Sequence, residues 1–156
     1  MFQDMKIISG GQTGVDRAAL DFALDKNIKA GGYCPANRKA EDGRIPNRYP
    51  LVELESPDYS SRTKANVKAS DGTLIFKWQR EPGEGTMQTI EFCNKYNKPF
   101  QFCEIEKLYN IDEYCSLHQW LVRNQIKVLN VAGNRESENP GIYRKTLEAL
   151  HLITDL

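Results

Sequence analysis

Three short stretches concentrate the residue types that hold an anion. Gly10-Gly11-Gln12-Thr13-Gly14-Val15-Asp16-Arg17 follows an apolar run and precedes a segment of helical period. Its glycines let the backbone turn with positive φ and approach a ligand closely, and a helix starting there offers backbone amides to a phosphate or other oxyanion. The same string also suits a tight turn capped by Thr13, with Asp16 completing a capping-box-like pair. It is neither G-x-G-x-x-G nor a Walker loop, because no Lys-Ser or Lys-Thr follows the glycines. Pro82-Gly83-Glu84-Gly85-Thr86-Met87-Gln88-Thr89 repeats the arrangement, with Thr86 and Thr89 one turn apart as caps or ligand contacts. Ala132-Gly133-Asn134-Arg135-Glu136-Ser137 adds a guanidinium, the natural planar partner of phosphate or carboxylate.

Residues 35–50 form a fourth candidate. They hold three prolines, four basic residues and no periodicity, which makes them a long loop, and such loops inside a compact domain are usually functional or disordered. Arg38, Lys39, Arg44 and Arg48 could fold over a bound anion, with Glu41 and Asp42 accepting hydrogen bonds from a polar ring or ribose. As a surface feature, the same loop is a solvated charged stretch. Cys34 either presents a thiolate at the mouth of such a pocket or is a small buried hydrophobe. Trp78 could stack on a heterocycle at the end of its strand, whereas His118 falls on the apolar stripe of its helix and reads as a core or capping residue. No nucleophile, base and acid can be assembled into one constellation.

The elements that must position these residues follow from periodicity. Apolar, β-branched runs at Lys6 to Ser9, Lys29 to Cys34, Leu51 to Glu55, Gly72 to Trp78, Pro99 to Ile105 and Val128 to Ala132 alternate with helical segments. The helices are expected from Val15 to Asn27, Ser60 to Ser70, Thr86 to Asn97 and around Ile111 to Val122. A terminal helix is expected with Asn139 as N-cap and Pro140 in its first turn. This is the pattern of an α/β fold, a single domain over residues 1–156 built on a largely parallel open sheet flanked by helices. In such a sheet ligands bind at the carboxyl ends of the strands, near a topological switch point, where the three junctions emerge.

Composition narrows the function classes. The 156 residues are 40% hydrophobic, enough for one core. Twenty-one basic residues balance twenty-one acidic ones, so no global field favours nucleic acid or a membrane surface. No apolar stretch has the length of a membrane span and the start lacks the charged-then-apolar form of a signal peptide, so a cytoplasmic location is expected. Four cysteines lie far apart without C-x-x-C and the two histidines show no metal-ligand spacing with them, against a disulfide scaffold or structural zinc.

GGQTGVDRAALDFAL at 10–24, GGYCPANRKAEDGRIPNRYPL at 31–51, SDGTLIF at 70–76 and VLNVAGNRESENPGIY at 128–143 together resemble the putative molybdenum carrier family. That family is also described as a circularly permuted YpsA-like branch of the SLOG superfamily of Rossmann-like nucleotide-ligand proteins. The resemblance runs from about residue 5 to residue 150. It implies a Rossmann-like sheet and binding of the molybdenum cofactor (molybdopterin), or of a related phosphate-bearing, nucleotide-like anion. It also implies a small anionic ligand as first partner, molybdoenzymes or cofactor-insertion proteins beyond it, and a possible homo-oligomer. The family's usual G-G-T is here Glu84-Gly85-Thr86, and its A-G-P-R has Asn134 before Arg135. Distant relatives that cleave nucleotide N-glycosidic bonds carry P-G-G-x-G-T-x-x-E, and here Thr89 stands in place of the catalytic Glu, with Glu91 two residues on. A non-enzymatic binder is therefore the leading expectation. A nucleotide or pterin hydrolase and a metabolite-sensing interaction subunit are the alternatives.

Overall fold

A computed structural model describes residues 2–155. Strand β1 (Lys6–Ile8) leads into α1 (Val15–Asp25), whose apolar side at Val15, Ala18, Ala19, Phe22 and Ala23 is wholly buried. The expected strand from Lys29 to Cys34 breaks at Gly32 into β2 (Lys29–Gly31) and β3 (Tyr33–Cys34). The long loop contains a short hairpin, β4 (Lys39–Ala40) with β5 (Gly43–Arg44), and closes where β6 (Val52–Glu53) pairs in parallel with β3. There follow α2 (Tyr59–Ala69), β7 (Gly72–Lys77), α3 (Glu84–Lys95), β8 (Phe100–Glu104), α4 (Ile111–Arg123), β9 (Val128–Gly133) and α5 (Ile142–Asp155).

Five strands form one parallel sheet in the order β2-β1-β9-β7-β8. Its last strand in sequence is its central one. Counted from β9 and wrapped through the termini, that order becomes 3-2-1-4-5, the arrangement of a doubly wound nucleotide-binding sheet. The switch point then falls between β9 and β7, where Thr73 pairs with Asn130 and Ile75 with Ala132.

Alternation along these two strands separates the faces. Leu74, Phe76, Leu129 and Val131 join the main core with α1, α4 and α5, each large side chain contributing roughly 1.5–3 kcal/mol by leaving water. Thr73 and Asn130 point the other way, and the Asn130 amide donates to Thr73 Oγ1 at 3.1 Å. That second face lies under α2 and α3. It is polar.

The terminal helix begins two residues later than the Asn139-Pro140 signal implies. Asn139 is buried and donates from its side chain to the Trp78 carbonyl, which draws it away from a capping position. The Thr13 and Asp16 capping reading also changes: the N-cap of α1 is Gly14, without a side-chain cap. A Cβ at Gly14 (φ +80°) would stand 2.5 Å from the Asn134 carbonyl oxygen, so glycine lets the first and third junctions meet backbone to backbone.

Candidate functional site

Helix α2 supplies what the junctions alone do not. Its Tyr59, Arg62, Thr63 and Asn66 follow the i, i+3, i+4, i+7 spacing of one helical face, and all four line a cleft of about 540 Å³ between α2, α3 and the end of β9. Arg62 and Asn66 are buried. Among the described residues the Arg62 guanidinium makes one hydrogen bond, from Nη1 to the Gly10 carbonyl at 3.0 Å. It lies 5.2 Å from the centre of the Tyr59 ring, within cation–π range. A Cβ on residue 10 would sit 2.1 Å from Arg62 Cδ, so the side chain can lie there because residue 10 is glycine.

Asp16 lies beside this guanidinium, with Oδ2 3.8 Å from Arg62 Nη1 and accepting the Gln12 amide at 3.2 Å. Burial pushes its carboxyl up to about 6, only partly opposed by the charge of Arg62. A carboxylate in this position is poised to change charge near neutral pH.

Of the residues singled out by sequence, Gly10, Gln12, Asp16, Gly85, Thr86, Thr89, Gly133 and Arg135 line the same cleft. The first junction shapes its wall without an open nest of amides. The Gln12 amide goes to Asp16, the Thr13 amide to Gln12 Oε1, and the Val15 amide to the Asn134 carbonyl. At the start of α3 the N-cap is Gly83, no side chain caps it and nothing stands within 4 Å of a Cβ at Gly85, but the Glu138 carboxylate lies against Gly83. Thr89 turns its hydroxyl to the Gly85 carbonyl at 3.1 Å.

Thr13, Glu41 and Ser137 form a latch beside the cleft. Glu41 accepts hydrogen bonds from the Thr13 hydroxyl and from the Ser137 amide and hydroxyl, while its own amide donates to Gln12 Oε1 at 2.9 Å. Burial raises the Glu41 carboxyl, but these bonds outweigh it and hold the group below the usual carboxylate range. Arg135 Nε lies 3.6 Å from Glu41 Oε2 and 3.3 Å from Glu138 Oε1. Neither contact has hydrogen-bond geometry.

The rest of the sequence set is placed elsewhere. Asn134 is a strut, accepting from the Gly83 amide at 2.8 Å and donating to the Glu81 carbonyl. Gly11 gives its carbonyl to Arg17 Nε, and Asp42 receives both terminal nitrogens of Arg17 at 2.8 Å. Gly14 borders a separate shallow hollow with Asp21 and Tyr143. Arg38 is buried and donates to the carbonyls of Ile45, Pro46, Tyr49 and Leu51. Cys34 is fully buried in a small cluster with Leu20, Ala40, Ile45 and Tyr49, and burial raises its thiol. Lys39 reaches the rim, its ammonium 5.0 Å from the Tyr59 ring centre. The Trp78 ring packs near Gly141 and under Lys145, not in the cleft.

Glu84 and Gln88 of the second junction also line the cleft, together with Tyr59, Arg62, Thr63, Asn66, Asn130 and Glu138, which no sequence motif singled out. The charged lining thus consists of Arg62 and Arg135 with Asp16, Glu84 and Glu138, and no described cysteine, histidine, serine or lysine contributes to it. This lining can hydrogen-bond an anionic group and a polar ring. It offers no thiolate or imidazole to a metal.

Residues 7–154 match the model of a protein family whose description names the permutation that the strand order shows. The chain belongs to the circularly permutated YpsA SLOG family. Within that setting it is similar to a crystal structure of a putative molybdenum carrier protein from Syntrophus aciditrophicus SB. The two are 42% identical over 97% of this chain and 95% of the other, with a TM-score of 0.90. No curated protein matches the chain. The SLOG relationship accounts for β9 at the centre of the sheet, and no described helix is long and apolar enough to cross a membrane.

Proposed function

We propose that this protein is a carrier that holds a phosphate-bearing pterin or nucleotide-like anion, with the molybdenum cofactor as its cargo, in the cleft between α2 and α3. The observation that carries the reading is the Arg62 guanidinium, buried on a polar helix stripe beside the switch point with one hydrogen bond to the protein. Its remaining N–H groups open on the cleft, where an anion can accept from them. A cleft of about 540 Å³ lies in the range of small-molecule sites.

The residues present fit such a cargo. Arg62 and the first turn of α3 would take the phosphate. The side-chain amides of Gln12, Asn66, Gln88 and Asn130 would meet the donors and acceptors of a pterin or purine edge. With no thiolate or imidazole in the lining, the metal would keep the ligands it arrives with. The similarity to a protein named as a molybdenum carrier supports this choice of cargo. Delivery to molybdoenzymes or cofactor-insertion proteins in the cytoplasm completes the proposal.

Anaerobic calorimetric titration with molybdopterin, molybdate, inorganic phosphate and a nucleoside monophosphate tests it. The pterin phosphate should bind more tightly than either oxyanion alone, and each should weaken in Arg62→Met. Equal binding of every ligand by parent and variant would contradict the reading. Sustained release of free base from the nucleoside monophosphate would replace it with the hydrolase alternative.

A further inference from the structure

The cleft places a carboxyl group where an anion's charge must come to rest. Asp16 and Arg62 are both largely withdrawn from water, with side-chain exposures of 14% and 10%. Yet they stand at 3.8 Å, and the Arg62 hydrogen bond goes to the Gly10 carbonyl. The pair is therefore close enough to interact by charge but is not locked. An oxyanion drawn to the remaining guanidinium N–H groups would bring a second negative charge beside the Asp16 carboxylate.

We propose that oxyanion binding in this cleft is coupled to protonation of Asp16: the anion takes Arg62, and the carboxylate takes up one proton from solvent. The proposal rests on the cleft being the ligand site. In it, Asp16–COO⁻ and one H⁺ become Asp16–COOH as the anion enters. No other bond is made or broken, and the new hydroxyl can donate a hydrogen bond.

Two features support the coupling. The Asp16 carboxyl already titrates at about 6 because burial disfavours its charge, and an added like charge a few ångströms away moves it further up. Arg62 on α2 and Arg17 next to Asp16 on α1 oppose that rise, while Arg135 and Glu138 after β9 and Glu84 at the start of α3 are the other charged groups of the cleft.

The sign follows. Binding favours the protonated form, so affinity is greatest below pH 6 and falls as pH rises through and beyond that value, by about tenfold per unit while the bound form stays protonated.

Sulfate is the probe, because it does not itself titrate between pH 5 and 8. Calorimetry at pH 7 in buffers of different ionisation enthalpy should report uptake of nearly one proton. Affinity should fall about tenfold per unit between pH 6 and 8. Asp16→Asn, an uncharged near-isostere, should flatten the profile and bind sulfate far more tightly than the parent at pH 8. Binding that depends on Arg62 but takes up no proton and does not vary with pH would overturn the coupling and leave the proposed function standing. Absence of sulfate binding at every pH, or binding unaffected by Arg62→Met, would overturn the site and the coupling together.

Discussion

Replacing Arg38 with methionine should unfasten the loop that runs from β3 to β6. The guanidinium donates to Pro46 O at 2.7 Å, Tyr49 O at 2.9 Å, Ile45 O at 3.0 Å and Leu51 O at 3.4 Å. Hydrogen bonds to a charged group contribute roughly 1.5–3 kcal/mol each, and those sharing one side chain are not additive. Methionine keeps the apolar stem and removes the donors, so a loss of about 4 kcal/mol is expected, as for breaking a buried charged network. At roughly 2–4 °C per kcal/mol for a domain of this size, the melting temperature should drop by on the order of 10 °C. Trypsin should then cut after Arg44 and Arg48, whose neighbours Ile45 and Tyr49 are buried in the parent. Arg38→Lys keeps the charge without the planar fork and should lie between. A methionine variant that melts with the parent and stays uncut, yet binds oxyanions less well, would refute the argument and make Arg38 a ligand group.

Three other outcomes follow from the same geometry. Gly10→Ala should push Arg62 off its seat, weakening sulfate binding at least tenfold by calorimetry, with a stability cost of about 1–3 kcal/mol from overpacking. Asp16→Asn should stabilise the ligand-free protein at pH 7. The folded carboxyl at about 6 lies above the ordinary 3.8, so the parent loses stability as pH rises from 3.8 to 6, by at most about 3 kcal/mol; melts should show the gap closing below pH 4. Glu41→Ala should speed amide exchange of residues 39–44 with little change in global melting. In the parent, that protection should persist above the ordinary carboxylate value of 4.5 and fade as pH drops through the lower folded value, because hydrogen bonds from Ser137 and Thr13 hold the charged form.

The alternation of strands and helices is legible because buried parallel strands such as Gly72–Lys77 and Val128–Gly133 are largely apolar runs between turn signals. The carboxyl edge of the sheet follows from that pattern. The cleft's second wall does not, since a polar stripe on a helix reads as a solvated face. The available signal was negative: a helix covering a parallel sheet needs an apolar side, and α2 buries Arg62, Asn66 and Val67 instead. The long loop was recognisable as special, but its architecture depends on Arg38 and Asn37 adopting positive φ, which brings Arg38 inward among four carbonyls. The latch joins Thr13, Glu41 and Ser137 across 28 and 96 residues, a closeness that no local pattern encodes.

The most direct test of the central claim is a crystal structure of the protein grown with tungstate, whose anomalous scattering marks the metal oxyanion without ambiguity. A peak is expected in the cleft between α2 and α3, within hydrogen-bonding reach of the Arg62 guanidinium. A cleft free of anomalous density, with tungstate bound instead at Lys39 or other surface cations, would contradict it.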